Sequence, residues 1–358
     1  MTSSQPTTPT QTEEKPVITD PEILHSLLLE TFNRSVGAVG KLLMPCIPAL
    51  YPSHMQRILG MFDALGTDFN QQQLDRLGQI VRRKLDEGFR LSPHAQLTLE
   101  YKPAQGKEEG LTFDISVKVP SVEDEYKNWV ETQHPPLFGQ YPDAKVMALA
   151  AELGNPALAP ILDVGAANGR NTFPLAQLGF PVDAVELSPE FVSHLELRAE
   201  GQPITVTPGD ICDPLVRMKP DHYRLAIAPE VVAVHCYDGD RLRLFFVKMC
   251  DSLASGGLLL FGLFLAEENY QPDASIRQVA QSQWSPIFTR QEVTEAMTNL
   301  PLELISDESV LDYEQLHRPS EIWPPSDRFP EWSAGWQLFA QSEETPFIEL
   351  RWIVCRRR

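Results

Sequence analysis

The sequence lacks the features of a membrane, metal-binding or disulfide-stabilised protein. Its longest apolar run, 258–266, is much shorter than the about 18 residues that a membrane-spanning helix needs. The cysteines number five, and no two of them lie two or four residues apart, so the spacing of a zinc site is missing. The first ten residues have neither a basic start nor an apolar stretch, so we expect no secretory signal. These absences predict a cytoplasmic protein without a metal site and without a membrane partner.

Positive charge is also scarce. The chain has 30 Lys and Arg against 49 Asp and Glu, a formal net charge of −19. Such a chain repels nucleic acids and anionic lipids overall, so nucleic acid is not an expected partner. Proline, in contrast, is abundant, with 31 among 358 residues, which is well above the usual share of about 5%. This length accommodates two domains.

The first part of the chain predicts a disordered tail and a module of helices and a β-hairpin. Residues 1–20 are rich in threonine and proline and carry too little apolar mass to fold, whereas 21–135 has regular patterning. Apolar residues at helical spacing predict the helices of this module, and alternating apolar residues predict its strands. Three helices are predicted: one begins at Asp20, the second begins at Ser53, and the third spans 70–87 and ends at Gly88. The predicted hairpin strands are 97–101 and 111–119.

Residues 136–358 alternate between short apolar strands and helices, which is typical of a doubly wound parallel α/β sheet. The last two strands, 302–310 and 347–355, are separated by a proline- and tryptophan-rich insertion, 312–345, in place of a clear helix. The tryptophans of this insertion form either a substrate lid or its own small core. These tryptophans are Trp323, Trp332 and Trp336. The other predicted strands of this region are 161–164, 182–185, 225–228 and 258–265. Its predicted helices are 171–178, 189–199, 240–253 and 290–299.

The segment 160–172 carries the most informative motif. An apolar strand leads to Asp163, and Gly165 and Gly169 then bend the chain into a helix whose free N–H groups suit an anionic group. Glu186 ends the second strand, where a carboxylate accepts hydrogen bonds from ribose hydroxyls. Asp210 and Ile211 follow the third strand, where an acid and an aliphatic side chain suit the adenine amino group and ring face.

These motifs, in this order, resemble those of the class I S-adenosylmethionine-dependent methyltransferases. The resemblance covers roughly 135–358 and implies a Rossmann-like seven-stranded sheet with an antiparallel last strand. The continuation Gly169-Arg170-Asn171 is similar to tellurite-resistance and thiopurine-type members. The resemblance implies S-adenosyl-L-methionine as cofactor. The residues expected to bind it are Asp163, Gly165, Ala167, Gly169, Glu186, Leu187, Asp210, Ile211 and Ala228, with Tyr126 and Trp129 as candidates to cover the sulfonium.

The sequence departs from the family pattern at two places. Ala167 replaces the middle glycine of the loop. The fourth strand, 223–230, lacks the usual aspartate and the Asn-Pro-Pro-Tyr type element, which makes adenine or amide nitrogens less suitable methyl acceptors. His235, after this strand, is the candidate catalytic base, and His317 in the insertion is the second choice.

The sequence therefore predicts a methyltransferase that acts on oxygen, nitrogen or sulfur of a small molecule or a protein side chain. The N-terminal module, with the insertion, is expected to select that molecule. An NAD-dependent oxidoreductase is the first alternative, although the G-x-G-x-x-G spacing of a dinucleotide site is absent. A non-catalytic cofactor-binding or assembly protein with the same fold is the second. The methyl acceptor and the oligomeric state remain open at this stage.

Overall fold

The computed structural model describes residues 39–103, 111–121, 124, 139–335 and 347–358. The predicted tail, the predicted helix after Asp20, and the candidates Tyr126, Trp129 and Trp336 lie outside the described residues. The described chain contains one three-stranded sheet and one eight-stranded sheet. None of its helices is both long and apolar enough to cross a lipid bilayer.

The N-terminal module is a three-stranded antiparallel sheet packed against two helices. Pairing of Gln96 with Lys118 and of Pro103 with Leu111 confirms the predicted hairpin. The first strand was not predicted, because its few residues show no long alternation, and it pairs with the hairpin along Gly40 to Pro45. In sheet order the strands are β1 (Gly40–Pro45), β2 (Gln96–Pro103) and β3 (Leu111–Lys118), and the helices are α1 (Tyr51–Ala64) and α2 (Gln71–Leu91).

The second of these helices runs past its predicted end. It begins with a capping box, in which the Asn70 side chain accepts from the Gln73 backbone N–H at 2.9 Å. The prediction that Gly88 stops the helix is wrong, since α2 continues to Leu91. Gly88 instead allows close packing, because a Cβ there would lie 2.4 Å from the Sγ atom of Cys46, the residue that follows β1.

We expect Gly88→Ala to destabilise the protein by about 1–3 kcal/mol, the usual cost of overpacking a core. The matched control is Gly60→Ala in α1, where a Cβ meets nothing within 4 Å. That change should be stabilising by about 0.5–1 kcal/mol, because alanine favours a helix over glycine. Urea unfolding of both variants checks the pair. Equal effects of the two substitutions would show that Gly88 has no packing role.

The larger sheet has the predicted doubly wound architecture. Its strand order is β10-β11-β8-β7-β4-β5-β6, with β9 paired to β8 as an eighth strand. The last strand, β11, is antiparallel to both β8 and β10, as predicted, while β4 to β8 are parallel. The strands are β4 (Ile161–Val164), β5 (Val182–Glu186), β6 (Ile204–Pro208), β7 (Tyr223–Ala228), β8 (Leu253–Ala266), β9 (Ile287–Phe288), β10 (Leu302–Ser309) and β11 (Ile348–Arg357).

Helices cover both faces of this sheet. Ile161 and Leu162 alternate between two separate buried clusters, one on each face. The insertion was predicted without a clear helix, and this is wrong, since a helix capped by Ser309 follows β10 directly. The helices are α3 (Ala144–Ala151), α4 (Thr172–Gln177), α5 (Pro189–Ala199), α6 (Val231–His235), α7 (Gly239–Ser252), α8 (Ala274–Ser282), α9 (Arg290–Met297), α10 (Val310–His317) and α11 (Phe329–Ser333).

Candidate functional site

The loop between β4 and α4 has the backbone geometry that its glycines predict. Gly165 and Gly169 adopt φ values of +71° and +80°. A Cβ at Gly165 would lie 2.2 Å from Val231 Cγ2, and one at Gly169 would lie 2.2 Å from Phe173 Cε2. Ala167, in the place of the middle glycine, also adopts a left-handed φ of 48°, a conformation that costs a residue with a Cβ about 1–2 kcal/mol. The loop is therefore tightly packed against Val231 and Phe173, and it keeps its bend although Ala167 replaces a glycine.

Glu186 lies directly beside this loop at the end of β5. Its side chain is 5% exposed, and its Oε2 accepts the Ala167 backbone N–H at 2.8 Å. The other oxygen, Oε1, accepts the Ser188 N–H at 2.8 Å. Burial raises the pKa of Glu186, and these backbone hydrogen bonds oppose that rise. A carboxylate has about four lone-pair sites, so these backbone hydrogen bonds do not exhaust its capacity to accept from a ligand.

The remaining predicted cofactor residues lie at the same edge of the sheet, where ligands of doubly wound folds bind. Asp210 follows β6, and its Oδ1 accepts the Cys212 N–H at 2.7 Å. Ile211 is only 4% exposed and packs in the core cluster next to Val185. Ala228 is fully buried at the end of β7, and Leu187 is half-buried. The structure therefore brings the described candidates together along the ends of β4 to β7.

Asp163 is buried beneath the loop, with 2% of its surface exposed. Its Oδ2 accepts a hydrogen bond from the Thr172 hydroxyl at 2.6 Å. Burial raises its pKa to about 6, although Thr172 and Arg170 oppose the rise. Because an unfolded aspartate has a pKa of about 3.9, the unfolded chain loses this proton first as the pH rises. The free energy of unfolding therefore falls as the pH rises to about 6, and this loss of stability is complete above that pH.

We expect Asp163→Asn to stabilise the free protein at pH 7.5 by on the order of 2 kcal/mol, because the buried charge is removed. The gain should be smaller at pH 5.5, where the carboxyl is largely protonated in the folded state. Urea unfolding at both pH values, with exposed Asp251→Asn as the control, measures it. A gain independent of pH would contradict the assigned protonation.

A network of buried charges, which the sequence did not predict, lies around Arg170 and Asn171 at the end of the loop. Arg170 forms ion pairs with Asp143 and Glu230. The Asn171 amide contacts Asp143 twice, accepting its backbone N–H at 2.9 Å and donating to its carboxylate at 3.0 Å. Arg318, which follows α10, reaches the same carboxylate at 3.1 Å. The network therefore links the loop to α3 and to the start of the insertion.

Glu314 of α10 is the most buried member of this network, with 0% exposure. It accepts the backbone N–H groups of Ala144 and Lys145 at 2.9 and 3.2 Å, and so caps the N-terminus of α3. It also binds Arg318 Nε at 2.7 Å and the Trp352 indole N–H at 3.2 Å. One side chain thus joins α10, α3 and β11.

The two histidine candidates lie in different surroundings. His235 ends α6, and its ring meets the Trp284 ring edge-on at 5.6 Å between centroids. Burial, together with His94 and Arg241, lowers the pKa of His235 to about 4, although Asp210 opposes this. His317 is exposed at the end of α10 and stacks on Tyr313 at 4.0 Å. His235 is therefore the one of the two that faces a cluster of aromatic side chains.

Two tryptophans of the insertion pack against the protein. Trp332 meets Phe264 of β8 edge-on at 5.5 Å, and Trp323 meets Phe329 at 5.8 Å. The contact of Trp323 fits the interpretation of a small core within the insertion, whereas Trp332 packs against the core of the larger sheet. The contacts of His94 and Trp284 with the His235 region were missed because they join distant segments. The signal for Arg170 was present in the Gly-Arg-Asn tripeptide, but its acidic partners were not recognisable from the sequence.

The residues at this edge fit S-adenosylmethionine. Gly165 and Gly169 let the loop pack closely against Val231 and Phe173, where a Cβ would lie only 2.2 Å from either side chain. Glu186 presents a buried carboxylate with unused lone pairs beside it. Asp210 lies at the end of the neighbouring strand, where the adenine amino group is expected.

Residues 161–257 match a family model described as a methyltransferase domain. A comparison with curated proteins finds no match. Geranyl diphosphate C-methyltransferase from Streptomyces coelicolor, crystallised with Mg²⁺, geranyl-S-thiolodiphosphate and S-adenosyl-L-homocysteine, is 18% identical over 60% of this chain and 76% of that chain, with a TM-score of 0.46. The O-methyltransferase segment of StiE is 17% identical over 60% and 73% of the two chains, with a TM-score of 0.41.

The structural likenesses are low, so the assignment depends on the matched family model and on the sheet itself. The matched residues contain the glycine loop, Glu186 and Asp210. The sheet order, with its antiparallel last strand, is the one that the motifs imply. Residues 161–257 therefore carry a methyltransferase domain, with S-adenosyl-L-methionine as its cofactor.

Proposed function

We propose that the protein transfers a methyl group to an oxygen, nitrogen or sulfur atom of a small molecule or a protein side chain. The observation that carries this proposal is Glu186, buried at the end of β5 and hydrogen-bonded to the glycine loop. In this role Glu186 binds the ribose hydroxyls, and Asp210 binds the adenine amino group. The loop from Gly165 to Gly169 lies against the methionine part.

When bound, S-adenosylmethionine supplies an electrophilic methyl group on a sulfonium. The protein's task is then to align the methyl acceptor in line with that methyl group and to exclude water, since positioning provides much of the acceleration. His235, held neutral by its lowered pKa, is the candidate to accept a proton from the methyl acceptor. The N-terminal module and the insertion provide the surface that selects this molecule.

Thermal shift and methyl transfer together test the proposal. We expect S-adenosylmethionine and S-adenosylhomocysteine to raise the melting temperature, and NAD to leave it unchanged. Labelled cofactor, incubated with cell extract, should label an acceptor, and separation of protein from small molecules identifies its class. Stabilisation by NAD alone would contradict the cofactor assignment. Cofactor binding without transfer to any acceptor would favour a non-catalytic role.

A further inference from the structure

Four aromatic side chains from three parts of the chain meet beside the end of α6. His94, from the loop between α2 and β2, stacks on Trp284 with 3.7 Å between ring centroids. The ring centroids of Tyr237 and His94 are 6.0 Å apart, and those of His235 and Trp284 are 5.6 Å apart. We call these four residues the aromatic slot. It is built jointly by the N-terminal module and the methyltransferase domain.

One face of α8 holds the parts of the aromatic slot together. Gln278 accepts the Ala49 backbone N–H of the module at 2.9 Å. Gln281 donates to the Tyr237 carbonyl at 2.8 Å, and the Ser282 backbone bonds the His94 ring. These three α8 residues have the i, i+3, i+4 spacing of one helix face. The relative position of His94 and Tyr237 is thus fixed by a single rigid element.

Trp284 occupies a position that normally favours glycine. The Ser285 N–H bonds the Ala280 carbonyl at 2.9 Å and the Trp284 N–H bonds the Gln281 carbonyl at 3.2 Å, which is the Schellman motif at a helix end. Trp284 takes the left-handed place in it, with φ of 56°. A residue with a Cβ there costs about 1–2 kcal/mol. Strain of this kind is concentrated at functional sites, and here it presents an indole to His94.

His94 offers an unused hydrogen-bond acceptor in the aromatic slot. Its Nε2 atom is buried and finds no hydrogen-bond partner among the described residues. Because Nε2 has no partner, the bond between the Ser282 backbone and the ring is at Nδ1, and with the hydrogen there Nε2 carries the lone pair. Burial outweighs this bond and lowers the pKa of His94 to about 4. The ring is therefore neutral at pH 7.

The aromatic slot begins close to the glycine loop. Val231, the first residue of α6, contacts the place that a Gly165 Cβ would fill. His235 ends the same helix four residues later, a rise of about 6 Å. A molecule in the slot thus lies one short helix away from the loop assigned to the methionine part of the cofactor.

We propose that the aromatic slot binds the methyl acceptor, and that this molecule is a neutral aromatic hydroxyl compound whose O–H donates to His94 Nε2. The proposal rests on the proposed methyl transfer. A buried lone pair among aromatic rings suits a hydroxyl on a flat ring, while the guanidinium of Arg241 already lies over the Tyr237 ring, 4.9 Å from its centroid. During transfer the O–CH₃ bond forms as the S–CH₃ bond breaks. The sulfur keeps the bonding pair, and the hydroxyl proton moves to His94 Nε2, which in this proposal replaces His235 as the proton acceptor.

Binding of model phenols tests the proposal without relying on turnover. With S-adenosylhomocysteine present, 2-naphthol should bind at least tenfold more tightly than 2-methoxynaphthalene, which has no O–H to donate. His94→Phe keeps a flat ring but should remove this preference, whereas His94→Gln, which keeps an acceptor atom, should restore part of it. N-acetyltyrosinamide, run in parallel, distinguishes a tyrosine side chain from a free phenol as the source of the hydroxyl.

Titration of the cofactor separates this proposal from the proposed function. Both His94 variants should bind S-adenosylmethionine within twofold of the unmodified protein. Equal 2-naphthol binding by the unmodified protein and His94→Phe would overturn the role of His94. If neither phenol binds while the cofactor does, the slot assignment fails and the proposed methyl transfer stands. If the unmodified protein does not bind S-adenosylmethionine, both proposals fail.

Discussion

Replacing Glu314 with alanine is expected to lower the free energy of unfolding by about 3–5 kcal/mol, as the loss of one partner of a buried ion pair usually does. Glu314 is fully buried and accepts four hydrogen bonds from α3, Arg318 and Trp352. Its removal leaves two backbone N–H groups of α3 without their cap. It also leaves Arg318, with a side chain that is 1% exposed, balanced by Asp143 alone. Urea unfolding followed by circular dichroism measures the change.

A double substitution separates the charge from the cap. Glu314→Ala together with Arg318→Met removes both buried charges, so the pair should be less destabilised than the sum of the two single variants. Glu196→Ala, at an exposed position in α5, is the matched control and should change stability by less than about 0.5 kcal/mol. Additive effects of the two single substitutions would show that the ion pair is not coupled. A small effect of Glu314→Ala alone would show that the cap and the pair contribute little.

The same network shows why the sequence predicts the two ends of the site unequally. Asp163, the glycines and Glu186 were recognisable because strand, turn and helix follow one another within a short stretch of chain. Glu314 and Asp143 look like ordinary surface acids in the sequence, since their partners lie in distant segments, as the separation of 175 positions between Arg318 and Asp143 shows. Charge pairing of this range leaves no local pattern.

The fold was predictable where one pattern dominated and less so where two patterns conflicted. The doubly wound sheet follows from short apolar runs separated by helical spacing, and the structure confirms this architecture. The helix α10 was hidden by the proline- and tryptophan-rich residues after it, although Ser309 and Asp312 gave a capping signal. Gly88 has the same ambiguity, because a glycine near a helix end indicates either a stop or a close contact.

The aromatic slot was the part of the site least accessible from the sequence. His94 lies next to the three-stranded sheet and Trp284 next to the larger sheet, and their stacking depends on how the two parts pack. Trp284 even contradicts the local rule, since its left-handed backbone favours glycine. A residue that breaks a local preference becomes informative only once its neighbours are known.

Glu186→Ala and Glu186→Gln are both expected to weaken S-adenosylmethionine binding at least tenfold. Hydrogen bonds to a charged group contribute about 1.5–3 kcal/mol, which corresponds to roughly tenfold or more in affinity. The glutamine variant keeps the shape but replaces one oxygen with an amide, which cannot accept from the backbone N–H groups of Ala167 and Ser188 and from ribose together. Calorimetric titration measures the dissociation constants.

The pattern of the loss identifies its cause. S-adenosylmethionine and S-adenosylhomocysteine share the ribose, so Glu186→Ala should weaken both by the same factor. Glu190→Ala, at an exposed position in the first turn of α5, should bind both as the unmodified protein does. A loss for S-adenosylmethionine alone would place Glu186 near the sulfonium, since that is where the two molecules differ. Unchanged affinity in both Glu186 variants would remove this residue from the cofactor site, and with it the observation on which the proposed function depends.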